Sequence, residues 1–223
     1  MLLALVSFAA AFAAPSGDRP AFSPSAFLVR PRSLEVEIGG WWQEGFTVPA
    51  RVKYGVGRSF EPSIGLDLSG VDEGDPNLSV QGKFRLLVEG EHALSALVRS
   101  GFPVADDDRW SGLLAILYTA GLPTLDLRAT AGLDLGSSGN VGVAYTGVPL
   151  TLLVGTPFTS SLSGFVEGAT VIDAGFRDWQ AQGGLLWKVT GILVLDAAGG
   201  WDFGTRDPFA TLGLTANLGT LGG

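Results

Sequence analysis

The chain of 223 residues has no cysteine, one histidine, one methionine and few charges, with Asp, Glu, Lys and Arg making up only 16%. Without cysteine there is no disulfide framework, no thiolate metal site and no Cys nucleophile. The lone histidine, His92 beside Glu91, would have to serve any Ser/His/acid arrangement, and it falls at an expected turn between strands. A P-loop, a dinucleotide fingerprint and a His-containing metal motif are also missing, so the sequence predicts no enzyme, no cofactor and no metal site. A net charge of −8 with no Lys/Arg cluster excludes the basic surface that nucleic acid needs. After the first segment, no apolar run is long enough for a helical membrane span.

What is present is β-like. Thirty-three glycines suit close turns and weaken helix interiors. From about Ser33 onward, apolar residues alternate with polar or small ones in segments of roughly ten residues, the pattern of a transmembrane barrel strand. In Arg51 to Val56, Val52, Tyr54 and Val56 fall on one face and Arg51, Lys53 and Gly55 on the other. The run from Thr124 to Leu135 is the most regular, setting Leu125, Leu127, Ala129, Ala131, Leu133 and Leu135 against Asp126, Arg128, Thr130 and Asp134. The stretch from His92 to Phe102 is the least regular. Residues 140–157 read as one long strand disturbed at Pro149, or as two short ones. The single-strand reading places the long connections near residues 71–77, 103–109, 173–178 and 202–208 at one membrane face, and is preferred for that reason.

The predicted fold class is therefore all-β: an antiparallel transmembrane β-barrel in meander order with about twelve strands, ten or fourteen remaining open. Residues 1–13 read as a signal peptide ending in a small-x-small site, although no Lys or Arg precedes the apolar run; a buried strand or an anchor is the alternative. Residues 14–32 follow as a periplasmic, poorly ordered lead-in, residues 33–218 as the barrel, and residues 219–223 as a C-terminal tail.

Parity turns inward the acids Glu35, Glu37, Asp67, Glu89, Asp126, Asp134, Glu167 and Asp196. It also turns inward the bases Arg51, Lys53, Lys83, Arg85, Arg99, Arg128 and Lys188. From these, Arg51, Lys53, Asp67, Lys83, Arg85, Asp126, Arg128, Asp134, Glu167, Lys188 and Asp196 are the candidates to line a solute path. The bland alternative is an ion-pair network that fills the lumen. Trp41, Trp42, Trp110, Trp179 and Trp201 are expected in an outer aromatic girdle and Trp187 in the inner one. The loop acids Asp72, Glu73, Asp75, Asp106, Asp107, Asp108, Asp202 and Asp207 are expected to be solvated, with cation bridges to lipopolysaccharide as the alternative. Gly39-Gly40 and Gly183-Gly184 read as bulges or close backbone approaches.

Several segments resemble the outer-membrane transporter family associated with the meta-pathway of phenol degradation. They include Tyr54-Gly55-Val56 followed by Phe60-Glu61, Leu78-Ser79-Val80-Gln81-Gly82-Lys83-Phe84-Arg85-Leu86, Phe165-Val166-Glu167-Gly168, Gly184-Leu185-Leu186-Trp187, Leu195-Asp196-Ala197-Ala198-Gly199-Gly200 and Thr211-Leu212-Gly213-Leu214-Thr215. The resemblance implies a barrel passing small, hydrophobic or aromatic compounds, and it carries over no catalytic or binding residue. Such barrels usually finish with an aromatic residue, where this chain has Leu218.

The functional expectation is a monomeric passive channel whose partners are outer-membrane lipid, lipopolysaccharide and a small-molecule solute. The alternatives are a structural or adhesive barrel with a plugged lumen, and a secreted soluble barrel with its apolar face inside.

Overall fold

A computed structural model describes residues 18–19, 21–69, 76–104, 110–138, 141–173 and 177–220. The expected signal peptide, the loop acids at 72–75 and 106–108, and the end of the tail lie outside the described residues.

Twelve antiparallel strands close into one barrel in sequence order. They are β1 (Ser33–Gln43), β2 (Gly45–Tyr54), β3 (Phe60–Ser69), β4 (Asn77–Glu89), β5 (His92–Pro103), β6 (Ser111–Leu122), β7 (Leu125–Ser138), β8 (Val141–Pro157), β9 (Leu162–Ile172), β10 (Arg177–Lys188), β11 (Leu193–Asp202) and β12 (Asp207–Thr220). The first and last strands zip together from Ser33 opposite Thr220 to Trp42 opposite Ala210, so neither is left as an unpaired edge. The last strand extends beyond Leu218, whose side chain is 59% exposed.

The two faces are inverted relative to a soluble protein. The largest fully buried side chains include Lys53, Lys83, Glu35, Glu37 and Glu61, while Ile64, Leu86, Leu152, Val166 and Leu212 are more than half exposed on the outside. A sheet that hides its charges and shows its aliphatics is matched to a hydrocarbon solvent, because each backbone polar group is satisfied by a neighbouring strand. The soluble-barrel alternative requires the opposite facing and is set aside. The regular β7 shows the parity clearly: Ala131 and Leu133 are exposed, while Thr130 is buried and Asp134 lines the lumen.

Residues 141–157 form one strand, β8, with register shifts against β7 near Asp134–Leu135 and Gly136–Ser138. The short turns β2–β3, β4–β5, β6–β7, β8–β9 and β10–β11 lie at one end, where β1 begins and β12 finishes. The other end carries the remaining connections, the longest being β3–β4 and β5–β6.

Two departures from simple parity have local causes. A bulge between Arg85 and Leu87 lets Leu86 and Leu87 both face outward and leaves Glu89, expected inward, exposed at the barrel end. In β5 the inward positions are Ala93, Ser95 and Leu97, all buried, so an apolar stripe faces the lumen and blurs the alternation. Leu117 and Ala115 of β6 continue that stripe.

Residues 18–19 and 21–30 explain the stripe. The sequence places them in a periplasmic, poorly ordered lead-in; in the structure they run inside the barrel. Ala26 packs with Ala93, Leu97, Ala115 and Leu117, with Phe27 and Leu113 beside them, and Leu28 and Val29 are also buried. The chain then reverses at Arg30-Pro31-Arg32-Ser33, where Ser33 N–H donates to the Arg30 carbonyl at 3.0 Å and Arg32 adopts φ of 62°. Proline followed by a positive φ is the pattern of a type II turn. Gly55 permits the reversal: a Cβ there would overlap the Arg30 carbonyl.

Candidate functional site: an occupied lower lumen and an open upper cavity

An unpaired backbone inside a barrel must find hydrogen-bond partners among wall side chains. The N-terminal segment does so along its length. Asp18 N–H donates to Glu37 (2.8 Å), Phe22 and Ser23 N–H to the two oxygens of Glu167 (2.8 and 2.6 Å), Ala26 N–H to Thr119 (2.8 Å), and Val29 N–H to Glu61 (2.6 Å). In return Ser95 donates to the Ala26 carbonyl at 2.6 Å, and the Ser23 hydroxyl donates to Thr151 at 2.6 Å. These partners sit on β1, β3, β5, β6, β8 and β9, so the segment spans the lumen instead of lying along one strand.

The Asp18 carboxylate is the electrostatic anchor. Lys53 Nζ lies 2.7 Å from Asp18, 2.7 Å from Glu37 and 3.4 Å from Glu35, and Lys83 Nζ lies 3.4 Å from Asp18 and 3.2 Å from Glu61. Burial alone would raise the pKa of Asp18, but the Lys53 and Lys83 charges, a hydrogen bond from Lys53 and the more distant Arg51 hold it well below the usual carboxylate range. Its charged form therefore persists at neutral pH, where it bridges two ammonium groups that would otherwise face only wall acids.

Arg19 makes a second attachment. Its guanidinium donates to the Thr211 hydroxyl at 2.6 Å and the Leu212 carbonyl at 3.3 Å, and lies 4.0 Å from Asp196. It rests over Gly39 and Gly213, which face each other across β1 and β12; a Cβ at Gly39 would occupy the guanidinium position. The Gly39-Gly40 pair is thus a close approach, and the register irregularity of β1 falls elsewhere, between Ser33 and Glu35. Phe22 packs against Trp41 and Phe209, each with ring centroids 5.8 Å away, and Trp41 stacks on Phe209 at 4.7 Å. Trp41 therefore belongs to the lumen and not to the outer girdle. Trp42, Trp179, Trp187 and Trp201 are outward and about half exposed, as expected for membrane-interface rings.

Above the segment, toward the end with the longer connections, lies a cavity of about 550 Å³. Its floor includes Asp18, Arg19 and Phe22, and its wall carries Arg51, Asp67, Arg99 and Asp134.

The expected path residues thus divide into groups. Arg51, Asp67 and Asp134 line the open cavity. Lys53, Lys83, Glu167 and Asp196 are buried partners of the segment. Arg128 pairs with Asp126 at 2.8 Å on β7 near its short-turn end, and neither these two nor Arg85 and Lys188 reach the cavity. Asp202, expected as a solvated loop acid, is 5% exposed and ties the β11–β12 turn by accepting from Gly204 N–H, Thr205 N–H, Gln43 and Gln180. His92 contacts the Tyr118 hydroxyl at 2.8 Å on the exposed short-turn side.

Asp18, Arg19 and Phe22 were absent from the sequence-based site because they precede the first strand. The readable sign of them was the apolar inner stripe of β5 and β6, which needs a cover inside an aqueous lumen.

The geometry has solved counterparts. A KdgM porin superposes with a TM-score of 0.67 at 10% identity, covering 82% of this chain and 98% of that one. The COG4313 outer membrane channel from Pseudomonas putida F1 gives 0.66 at 12% identity over 86% and 98%, and the NanC porin 0.64 at 8% identity over 82% and 100%. The chain has the fold of outer-membrane porins and channels. No family model and no curated protein matches the sequence. At these identities the likeness carries architecture and no residue roles.

Proposed function

We propose that this protein is an outer-membrane channel that passes small molecules passively. The observation that carries the reading is an inside-out barrel whose upper lumen holds a water-accessible, charge-lined cavity of about 550 Å³. The porin and channel neighbours share the barrel fold, and the sequence resemblance to transporters of the phenol meta-pathway favours small hydrophobic or aromatic solutes. On this reading the exposed aliphatic belt faces outer-membrane lipid, the longer connections face lipopolysaccharide, and the short turns face the periplasm. The barrel pairs its own edges, so closing the sheet requires no second copy, and a monomer is the proposed state.

Liposome swelling and planar-bilayer recording test the proposal. Folded full-length protein should admit small solutes in a size-limited way; no solute or ion passage would overturn it. The occupied lower lumen favours a second reading, a structural barrel closed by its own N-terminal segment. Passage appearing only after residues 18–29 are removed would select that reading.

A further inference from the structure

Four charged side chains in the upper cavity are left over from the pairing that fills the lower lumen. Arg51, Asp67, Arg99 and Asp134 stand on β2, β3, β5 and β7, so the signs alternate along one side of the barrel. Among the described residues, none of the four is within ion-pairing distance of an opposite charge or makes a side-chain hydrogen bond. This contrasts with Lys53, which contacts three carboxylates. Arg99 is the hub of the group, within electrostatic reach of Arg51, Asp67 and Asp134, while Asp67 also feels Arg51 and the floor residue Arg19. Each retains unused hydrogen-bonding capacity directed at a shared solvent space, with two charges of each sign.

The cavity wall on β8 and β9 is uncharged, lined by Pro149, Thr151 and Val171, and the Trp41 ring that Phe22 and Phe209 hold in place faces the same space from β1. A wall offering both signs without internal pairing complements a solute that carries both signs, because a guanidinium binds a carboxylate bidentately and a carboxylate binds an ammonium. The uncharged wall suits an apolar body, and the volume falls within the usual range for small-molecule sites.

We infer that this collar binds a small zwitterion, an α-amino acid with an apolar side chain. Its carboxylate lies against Arg51 and Arg99, its ammonium against Asp134 beside Arg99, and its side chain toward Pro149, Val171 and Trp41. As a statement about what crosses the membrane, the inference rests on the channel reading; as a statement about binding, it stands alone.

Calorimetric titration of the detergent-solubilised full chain with phenylalanine, 3-phenylpropionate and phenethylamine tests it. These probes share a ring and differ only in which charges they carry. Phenylalanine should bind about ten-fold more tightly than either singly charged analogue, each of which forfeits one charge-assisted contact. Arg99→Gln should weaken phenylalanine and 3-phenylpropionate and spare phenethylamine; Asp134→Asn should do the reverse. Arg51→Gln provides a second guanidinium variant if Arg99→Gln does not fold, and Arg58→Gln, on the exposed β2–β3 turn, should change nothing. Equal binding of the three probes, equal binding of 3-phenylpropionate and phenylalanine, or no binding overturns the inference. Uptake of labelled phenylalanine into proteoliposomes separates the two claims. Selective binding without uptake overturns the channel and leaves the site, while uptake of all three probes at equal rates without selective binding leaves the channel and overturns the site.

Discussion

The lower and upper halves of the lumen draw on the same residue types and reach opposite states. Below, Lys53 and Lys83 are fully buried and locked to Asp18, Glu35, Glu37 and Glu61 at 2.7 to 3.4 Å. Above, Arg51, Arg99, Asp67 and Asp134 surround open space. The difference is the N-terminal segment, which brings Asp18 to the lysines, backbone N–H groups to the glutamates, and Ala26 to the apolar stripe of β5 and β6. Inward charge therefore does not by itself mark a solute path; the same parity supplies both a latch and an open wall. Glu167 illustrates the point. It has the sequence profile of a lumen charge, and it is occupied as the bidentate acceptor for Phe22 and Ser23.

Deleting residues 18–29 should do most to make the lower lumen resemble the upper. The β-barrel should persist, since all twelve strand pairings lie outside the segment, and single-channel conductance should rise to that of an open lumen. Far-UV circular dichroism with bilayer recording checks both parts. Lys53→Met comes next, because it leaves Asp18, Glu35 and Glu37 buried without their shared cation. Removing one partner of a buried pair costs about 3–5 kcal/mol, so the urea midpoint should fall clearly.

Asp18→Asn is a milder break. The absence of cysteine allows a single reporter, Ala26→Cys, to read it without background. Maleimide labelling of that site, 0% exposed in the docked state, should be slow alone and much faster when combined with Asp18→Asn. Equal rates would show that the hydrogen bonds to Glu167, Thr119 and Glu61 hold the segment unaided.

Trp41→Ala, compared with Trp42→Ala, sharpens the contrast at one point on β1. The first removes a stack against Phe209 and should cost docking about 1 kcal/mol, seen as faster labelling at Ala26→Cys. The second faces outward against Phe46 and should leave labelling unchanged. The smallest effect is expected from Arg32→Gly, which relieves a positive φ of 62° and, after glycine's greater backbone entropy is subtracted, should stabilise the turn into β1 by about 0.5 kcal/mol, measured from the denaturation midpoint.

Alternation alone was enough for the barrel wall. Because side chains on a strand point to opposite faces with a period of two, Glu35, Lys53 and Asp134 could be turned inward and Ile64 and Leu133 outward from their positions in the chain. The even strand count and the single strand at Val141–Pro157 followed once the longer connections were required to share an end. Parity failed where a residue was inserted, at the Arg85–Leu87 bulge, and near strand ends such as Trp41, where its assignment to the girdle came from proximity to the interface and its true facing came from stacking.

What the tertiary structure decided was the content of the lumen. Residues 18–19 and 21–30 have no strand partner and therefore no periodicity to read, and their attachments to the wall join residues far apart in the chain, from Asp18 with Lys53 to Ser23 with Thr151. A pattern of period two reports which way a side chain points and nothing about what stands opposite it. Only closure of the barrel brings Asp18 between Lys53 and Lys83, and only that closure leaves Arg51, Asp67, Arg99 and Asp134 facing one cavity unpaired.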